Sequence, residues 1–577
     1  MLDVSALITL LLIAFYLLKQ YKSISFKISV IAGGSFLYLL IFFWENSVTK
    51  IVPDPYLDEI FHIPQAQAYC NGRFNVWDQK LTTPPGLYIL AALKALIFQN
   101  STEIYCGIDA LRSQNGIALL AIFLFACSCR LQITKSYQEV VHTAFNIALF
   151  PPLFFFSGLF YTDVISLFSV LVVYKLVLDR KKSCNGYYNN LSLLIAGIAS
   201  LTIRQTNIFW TTIFSGAIDL TNALELEEIL QRELDPPPGN HQQCGHGRRT
   251  FDIPLNEAHL QDFVDFILKV IVVVFKRPGF VAKRIWPYIT ILISFASFVL
   301  WNGGIVLGDK SNHVVLIHLP QMLYLWPFIT FFSAPLIIPT ATKVLYNMKK
   351  FYLVIPKSFR FYQSYTWTLF YTIAALTSSI IIVKYNTIIH PFILADNRHY
   401  MFYIFRYTIL RHTKIRYFLV PIYLICSYLI YLTFCTQTTT PKHLKSSNQK
   451  LACRGKPYWL WRSTQYEAPK ISIVLILLIT TALSLITCPL VETRYFIVPW
   501  VLWRLNIPPA YLRSRELGLN AARNINSLHQ KILKLQGFTL WIETFWLLLI
   551  DLVVGYIFLY HGFEWPQEPG RVQRFMW

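Results

Sequence analysis

Residues 28–62 read ISVIAGGSFLYLLIFFWENSVTKIVPDPYLDEIFH. The first half, residues 28–44, is a nearly unbroken apolar run, and a helix needs about 17–25 mostly apolar residues to cross a bilayer. The second half is polar and holds Asp54, Asp58, Glu59 and His62. The stretch therefore predicts a membrane helix that leads directly into an acidic loop at the membrane surface.

The balance of apolar and charged residues is similar over the whole chain. Its 577 residues are 55% hydrophobic and 14% charged, whereas soluble domains carry about 25% charged residues. We therefore predict a membrane protein that has lipids as its solvent. The net charge of +21 does not indicate nucleic-acid binding, because the Lys and Arg residues stand in short segments between apolar runs, as they do in membrane proteins.

Apolar runs recur along the chain and predict an all-α polytopic membrane protein with about 13–14 transmembrane helices. The run 2–18 lacks the basic start and the cleavage site of a signal peptide, so residues 1–27 are predicted to be an extra anchor and a cytosolic turn. Residues 28–577 are predicted to form a single domain. The candidate spans are 2–18, 28–44, 114–130, 141–160, 162–178, 191–203, 206–220, 286–306, 313–338, 367–389, 416–434, 471–488, 495–512 and 540–561.

The basic segments between these runs predict the orientation, since cytosolic loops are enriched in Lys and Arg. They place four long loops in the cytosol: 221–285, 339–366, 435–470 and 509–539. The short runs 86–98 and 263–275 are then predicted to be helices that lie at the membrane interface. The first of them keeps the whole of 45–113 on the non-cytosolic side, where Cys70 and Cys106 either form a disulfide or remain two free thiols.

This orientation brings five polar clusters to one face of the membrane. Ionisable residues at such positions often mark a site or a pathway, although Arg and Tyr at span ends can also serve as headgroup anchors. In the first cluster, Asp58 and His62 are four residues apart and would share a helix face. The clusters are Asp58-Glu59 with His62, Asp163, Arg204-Gln205-Thr206-Asn207, Asp396-Asn397-Arg398-His399 and Glu492-Thr493-Arg494-Tyr495.

Several motifs of soluble transferases and hydrolases do not occur in the sequence. It has no DxD pair for a nucleotide-sugar metal, no phosphate-binding GxxxxGK[ST] loop and no GxSxG elbow. His241, Cys244 and His246 are interpreted as incidental, since no fourth zinc ligand lies near them. An enzyme of this composition would have to take its donor from the bilayer.

Seven longer motifs resemble one known family, the endoplasmic-reticulum α-1,2-glucosyltransferases that use dolichyl-phosphate-glucose. The resemblance runs from about residue 28 to residue 577. The chain departs from the family in the extra run 2–18, in expanded loops near 221–260 and 437–468, and in Thr493, where an aromatic residue is usual. The motifs are PYLDEIFHIPQAQAYC at 55–70, WDQKLTTPPGLY at 77–88, RQTNIFW at 204–210, NGGIVLGDKSNH at 302–313, LADNRHYMFY at 394–403, ETRYFIVPWVLWRLNIP at 492–508 and QRFMW at 573–577.

The resemblance implies a C-type glycosyltransferase fold in the endoplasmic-reticulum membrane, with its active site facing the lumen. It implies dolichyl-phosphate-glucose as the donor. The acceptor would be the diglucosylated high-mannose oligosaccharide on dolichyl diphosphate. Addition of this glucose would give the complete precursor for protein N-glycosylation. The rival hypotheses are a related enzyme with a mannosyl donor or an earlier glucose acceptor, and a non-catalytic lipid transporter.

Inversion at the sugar carbon needs one carboxylate base, and the phosphate leaving group needs cationic stabilisation. Asp58 is the predicted base and Glu59 the alternative. Arg494, Arg398 and His399 are predicted to bind the donor phosphate. Further substrate contacts are predicted for His62, Trp77, Gln205, Asn207, Asp396, Asn397 and Tyr400. This scheme requires no metal or other cofactor, but the acids Asp54, Asp58 and Glu59 leave Mg²⁺ dependence open.

Overall fold

The computed structural model describes residues 23–97, 105–134, 136–180, 187–234, 251–310, 316–353, 359–435, 468–509, 538–566 and 568–577. The predicted anchor 2–18 lies outside them, as do His241, Cys244, His246 and parts of the predicted cytosolic loops. The N-terminal half contains the helices Ile24–Ile51, Glu59–Cys70, Gly86–Ile97, Ile108–Ile133, Tyr137–Ala148, Pro151–Phe156, Thr162–Arg180, Tyr187–Ile203, Ser215–Leu234, Leu260–Lys276 and Pro278–Asn302, with a π-helical turn at Phe209–Phe214 and a 3-10 turn at Leu255–Glu257.

The C-terminal half continues in the same way. Its helices are Pro320–Phe332, Ala334–Leu353, Phe359–Asn386, Pro391–Ala395, Tyr400–Ile404, Ile415–Phe434, Ile471–Ile486, Ile497–Asn506 and Thr539–Tyr560, with a π-helical turn at Phe405–Ile409 and a 3-10 turn at Thr493–Phe496. The strands Phe563–Glu564 and Val572–Gln573 pair antiparallel in a two-residue register. Apart from this small hairpin and two isolated bridges, the regular structure of the described residues is helical, which confirms the predicted all-helical membrane fold.

Within the described residues, six helices are long and apolar enough to cross a membrane, and a bent pair, Pro320–Phe332 with Ala334–Thr342, would be a seventh span with a bend of 94°. Shorter apolar helices, such as Gly86–Ile97 and Ile471–Ile486, and the residues outside the described ranges do not enter this count, so the total of about 13–14 spans stays a prediction. The six helices are Ile24–Ile51, Ile108–Ile133, Pro278–Asn302, Leu369–Asn386, Ile415–Phe434 and Thr539–Tyr560.

The remaining predicted spans from 141–160 onward also fall on helices, but these are short, broken or charged. The span predicted at 495–512 is a helix of 10 residues, Ile497–Asn506, because the chain leaves the helix before Pro508-Pro509. Helix Thr162–Arg180 carries Asp163 near its start and Asp179-Arg180 at its end. The run 141–160 is divided at Leu149-Phe150 between two helices.

The interior of the bundle combines aromatic packing with buried ion pairs. The rings of Phe150 and Trp500 stack with centroids 3.9 Å apart. Near them Arg504 and Glu543, each at most 1% exposed, form an ion pair of 2.7 Å. Such pairs keep charged residues in the bundle interior and away from lipid, which explains why charged helices belong to this membrane fold.

The acidic loop is closed by contacts to two other segments. Cys70 and Cys106 form a disulfide across a sequence separation of 36, which resolves the alternative left open by the sequence. The 302–310 loop docks on the acidic loop, where the Leu307 N–H donates to the Thr82 carbonyl at 3.1 Å. These contacts hold the acidic loop in a fixed position.

Candidate active site

The acidic loop turns sharply just before the predicted base. Leu57 has φ 51°, a left-handed conformation that costs a residue with a Cβ atom roughly 1–2 kcal/mol. Asp58 is the residue that precedes helix Glu59–Cys70. Its side chain and that of His62 therefore stand at the beginning of a helix, as the four-residue spacing predicted.

Glu59 is turned into the protein and is fully engaged there. Its side chain is 0% exposed. Arg112 donates to both carboxylate oxygens, from Nε at 3.0 Å and from Nη2 at 2.6 Å. The backbone N–H groups of Tyr56 and Phe160 donate to the same carboxylate at 3.1 and 2.7 Å. This carboxylate stabilises the loop and has no oxygen directed to open space.

Asp58, by contrast, is accessible. Its side chain is 44% exposed, and one oxygen accepts from Arg494 Nη1 at 2.9 Å. Burial of the site acts to raise the pKa of Asp58, but the positive charge of Arg494 and its hydrogen bond are the main opposing effects, and the pKa lies below the ordinary carboxylate value. Asp58 is therefore an ionised carboxylate at neutral pH, and it is open to a substrate.

Arg494 is the cationic centre of the site. It also donates from Nε to Glu492. A second guanidinium lies near it: Arg204 is paired with Asp163 and lies over the ring of Tyr495 at 5.5 Å. The two arginines are close enough for their positive charges to act on each other. A site with two adjacent guanidinium groups is suited to bind a phosphate.

His62 lies one helical turn after Asp58 and is neutral. Its Nδ1 is 2.7 Å from the Tyr88 hydroxyl, and burial lowers the pKa of the imidazole, against the opposite effect of Asp58. The Trp77 ring packs edge-on against Tyr88 with centroids 5.9 Å apart. Among the described residues the buried Trp77 Nε1 has no hydrogen-bond partner, so it is a donor available to a ligand.

The two amides predicted to bind sugar hydroxyls are occupied within the protein. Gln205 donates to the Thr82 carbonyl at 2.7 Å. Asn207 is 1% exposed. It accepts from the Ser166 hydroxyl at 2.9 Å and donates to Ser200 Oγ at 3.0 Å. Both side chains fix the turn that carries Arg204.

The segment 396–400 is divided between structural contacts and free polar atoms. Asp396 binds Arg398 with both oxygens, at 2.8 and 2.7 Å. Burial acts to raise the pKa of Asp396, but these hydrogen bonds hold it below its ordinary value. Arg398 Nη1 donates to Gln573 at 2.9 Å, and the guanidinium lies 4.9 Å over the Trp565 ring. This arginine is therefore less available to a phosphate than Arg494.

Asn397 and Tyr400 of that segment have atoms that remain available, whereas His399 is engaged. Asn397 Oδ1 and the Tyr400 hydroxyl are buried without a partner among the residues the structure describes. His399 Nδ1 is 3.0 Å from the Trp577 backbone oxygen. His399 is also near enough to Asp58 to lower its pKa electrostatically. The segment therefore reaches the acidic loop.

The structure thus brings Asp58, His62, His399 and Arg494 together and directs Glu59 away. In the described part of the chain, no group of three His, Cys, Asp or Glu side chains could hold a metal ion. The sequence interpretation missed Arg112 as the partner of Glu59. An arginine directly before the apolar run 114–130 is a signal that could have indicated it.

Over most of its length the chain is similar to proteins of one family. The family model described as the DIE2/ALG10 family matches residues 52–505. The Dol-P-Glc:Glc(2)Man(9)GlcNAc(2)-PP-Dol alpha-1,2-glucosyltransferase of Aspergillus fumigatus is 38% identical, over 94% of this chain and 97% of that protein. Proteins of the same name are 36% identical in Gibberella zeae, over 92% and 91%, and 28% identical in Mus musculus, over 92% and 95%. A solved structure, the Archaeoglobus fulgidus oligosaccharyltransferase complex with Zn and sulfate, is similar at 13% identity and a TM-score of 0.26, over 88% of this chain and 57% of that chain, which is too weak to carry a structural argument.

Proposed function

The chain belongs to the DIE2/ALG10 family, and from that membership we propose that it transfers glucose from dolichyl-phosphate-glucose to the diglucosylated high-mannose oligosaccharide on dolichyl diphosphate. The new bond is an α-1,2 linkage, and the product is the complete precursor for protein N-glycosylation. The names of relatives that align with more than nine-tenths of the chain support this donor and acceptor. The fold is proposed to be of the C-type glycosyltransferase class.

The proposed reaction is a single inverting displacement with Asp58 as the base. A β-linked donor that gives an α-linked product requires attack from the face opposite to the leaving group. The attacking hydroxyl must lose its proton, and a carboxylate within hydrogen-bond reach can accept it. Asp58 suits this role because it is 44% exposed and ionised, whereas the Glu59 carboxylate is covered by Arg112 and two backbone N–H groups.

The single observation that carries the proposal is the contact of 2.9 Å between Asp58 and Arg494. It places an accessible base beside a cation, which are the two groups that the displacement needs. Arg494 is proposed to bind the leaving phosphate, since charge-assisted bonds to a guanidinium stabilise phosphate oxygens. Arg204 is proposed as the second phosphate ligand because it lies over Tyr495, the neighbour of Arg494, whereas Arg398 is held by Asp396 and Gln573.

Three of the remaining site residues are proposed to contact the sugars, and the others to bind the phosphate or to hold the site in place. Trp77 Nε1, Asn397 Oδ1 and the Tyr400 hydroxyl are buried polar atoms without partners in the described structure, and a buried polar atom gains most from a ligand hydrogen bond. His399 is proposed as a further ligand of the donor phosphate. His62 orients the base as a neutral imidazole. Gln205, Asn207 and Asp396 contribute by holding the segments that carry these groups.

The proposed location is the endoplasmic-reticulum membrane, with the site facing the lumen. The Cys70–Cys106 disulfide supports this side, because disulfides persist in the lumen and are rare in the cytosol. The acidic loop and its disulfide lie in one segment, 45–113, so both must be on the same side. The proposed mechanism needs no metal. The metal dependence of glucosyl transfer can be measured by titration with a chelator.

The test is glucosyl transfer by purified protein from labelled dolichyl-phosphate-glucose to the diglucosylated acceptor. Asp58→Asn should lower kcat by about 10²- to 10⁴-fold, the usual contribution of a general base. Asp54→Asn, a change in an exposed acid of the same loop, is the matched control and should leave kcat unchanged. Wild-type transfer by folded Asp58→Asn protein contradicts the mechanism, and transfer from dolichyl-phosphate-mannose alone contradicts the proposed donor.

Glu59→Gln gives a different expected result in the same assay. The change leaves Arg112 buried without its carboxylate, and breaking such a pair destabilises a protein by about 3–5 kcal/mol. Activity should fall in proportion to the amount of folded protein, as measured by thermal unfolding in detergent. A stable Glu59→Gln protein without activity would instead identify Glu59 as a catalytic group.

A further inference from the structure

The segment 572–577 contains the QRFMW motif, which the proposed function does not use. Two of its side chains are core residues, Gln573 at 2% and Met576 at 1% exposure. The segment begins as the second strand of the small hairpin and then passes along the acidic loop. A stretch this deeply packed has partners that define its position.

The first partner is the acidic loop itself. The Tyr56 hydroxyl donates to the Arg574 carbonyl at 2.6 Å and accepts from the Arg574 N–H at 2.7 Å. One side-chain hydroxyl thereby satisfies both backbone groups of one residue. Tyr56 stands two positions before Asp58, so its fixation acts directly on the base.

The second partner is the end of a membrane span. Arg574 Nη1 donates to the carbonyls of Phe558 and Leu559 at 2.8 and 2.6 Å. These carbonyls belong to the last turn of helix Thr539–Tyr560, where carbonyl groups generally lack an N–H donor within the helix. Arg574 is therefore bonded to the end of this membrane helix as well as to the acidic loop.

The third partner is the segment 396–400. The Met576 N–H donates to the Arg398 carbonyl at 2.9 Å, and the Tyr400 N–H donates to the Met576 carbonyl at 3.1 Å. His399, which acts electrostatically on Asp58, is also held by the Trp577 backbone oxygen. The same few residues thus bind both sides of the site.

We propose that 572–577 is a positioning clasp, which fixes the acidic loop through Tyr56 and the 396–400 segment through Met576, and so holds Asp58 in its catalytic position. This inference rests on the proposed function. The strained backbone of Leu57 lies between Tyr56 and Asp58, and such a conformation persists only when its surroundings determine it. Tyr56 is the positioning residue, and it acts on the reaction only through Asp58.

The test is Tyr56→Phe, which removes the hydroxyl and leaves the ring in place. We expect kcat to fall about tenfold, because small displacements of a catalytic group cost more in rate than in binding. The KM for the donor should stay within about twofold of wild type. The matched control is Tyr174→Phe, which removes another buried hydroxyl, bonded to Asn506 at 3.1 Å, and should leave kcat unchanged.

A wild-type kcat in Tyr56→Phe contradicts the clasp, and so does an equal loss of kcat in the Tyr174→Phe control. If Tyr56→Phe protein does not accumulate, Arg574→Lys is measured in its place against the same criteria, since it keeps the charge and removes the planar guanidinium whose Nη1 binds two carbonyls. Asp58→Asn separates this result from the proposed function. Inactive Asp58→Asn with fully active Tyr56→Phe rejects the clasp alone, whereas active Asp58→Asn rejects the base.

Discussion

Asp58 and Glu59 are neighbours in sequence and face opposite environments. Successive residues of a helix point in directions about 100° apart, so one carboxylate at the start of helix Glu59–Cys70 can face the core while the other faces the site. The sequence favoured Asp58 without excluding Glu59. The distinction depends on Arg112, which is 53 positions from Glu59; no local pattern specifies a contact of that separation.

The pH dependence of transfer is set by the charge next to Asp58. Burial acts to raise its pKa, and Arg494 is the largest of the opposing effects that bring it below the ordinary value. A base with a lowered pKa stays deprotonated to lower pH. In Arg494→Gln the pKa of Asp58 should rise, so the acid limb of kcat/KM should move to higher pH while the overall rate also falls.

The measurement is kcat/KM against pH for wild type, Arg494→Gln and Arg398→Gln. Arg398 is bound to Asp396, so its replacement should leave the acid limb in place. The interpretation of Asp58 as the base held ionised by Arg494 is wrong if the limb of Arg494→Gln coincides with that of wild type.

At the scale of elements, the positions of the helices were predictable and their docking was not. The bilayer demands long apolar runs, so each predicted span from 28–44 onward overlaps at least one helix of the described residues. Helix ends were less predictable: the run 495–512 contains the helix Ile497–Asn506, which ends before Pro508-Pro509. The 302–310 loop is a different case: the prediction assigned 302–306 to the span 286–306, but the helix ends at Asn302. The docking of this loop on the acidic loop depends on backbone contacts, which the sequence pattern does not indicate.

Gly308 makes that docking possible. Its φ is +62°, and an added Cβ would lie 2.3 Å from the Gln79 carbonyl oxygen and 2.7 Å from that of Leu81. Gly308→Ala should therefore lower the free energy of unfolding by more than the roughly 1 kcal/mol of a left-handed residue alone, because backbone atoms must also move. Thermal unfolding and limited proteolysis at 302–310 would measure the effect.

Gly303 is the matched control in the same loop. Its φ is +66°, but the nearest atom to an added Cβ is the Lys310 ammonium at 3.8 Å. Gly303→Ala should show the conformational penalty without the clash, and therefore a smaller loss. Equal destabilisation by the two substitutions would mean that close packing on 79–82 is not what requires Gly308.

At the scale of the whole molecule, the site is assembled from segments that the sequence keeps far apart. Asp58 and Arg494 are 436 positions apart and Tyr56 and Arg574 are 518 apart. The orientation rule had already predicted one membrane face for the segments of Asp58 and Arg494. What it could not supply was the pairing among them, because the rule counts charges in loops and carries no distances. The substrate came from the family resemblance alone.

The predicted luminal side of the acidic loop can be tested in cells by N-glycosylation, which marks only luminal Asn-X-Ser/Thr sites. Arg73→Thr creates such an acceptor at Asn71, which lies in an exposed turn after helix Glu59–Cys70. The change is made together with Asn100→Gln and Asn190→Gln, which remove the two natural sequons Asn100-Ser101-Thr102 and Asn190-Leu191-Ser192. Lys450→Thr, which creates an acceptor at Asn448 in the predicted cytosolic loop 435–470, is the control.

We expect an endoglycosidase-sensitive shift in mobility for Arg73→Thr and none for Lys450→Thr. The reverse pattern would invert the orientation and place the Cys70–Cys106 disulfide in a reducing compartment, where it should not persist.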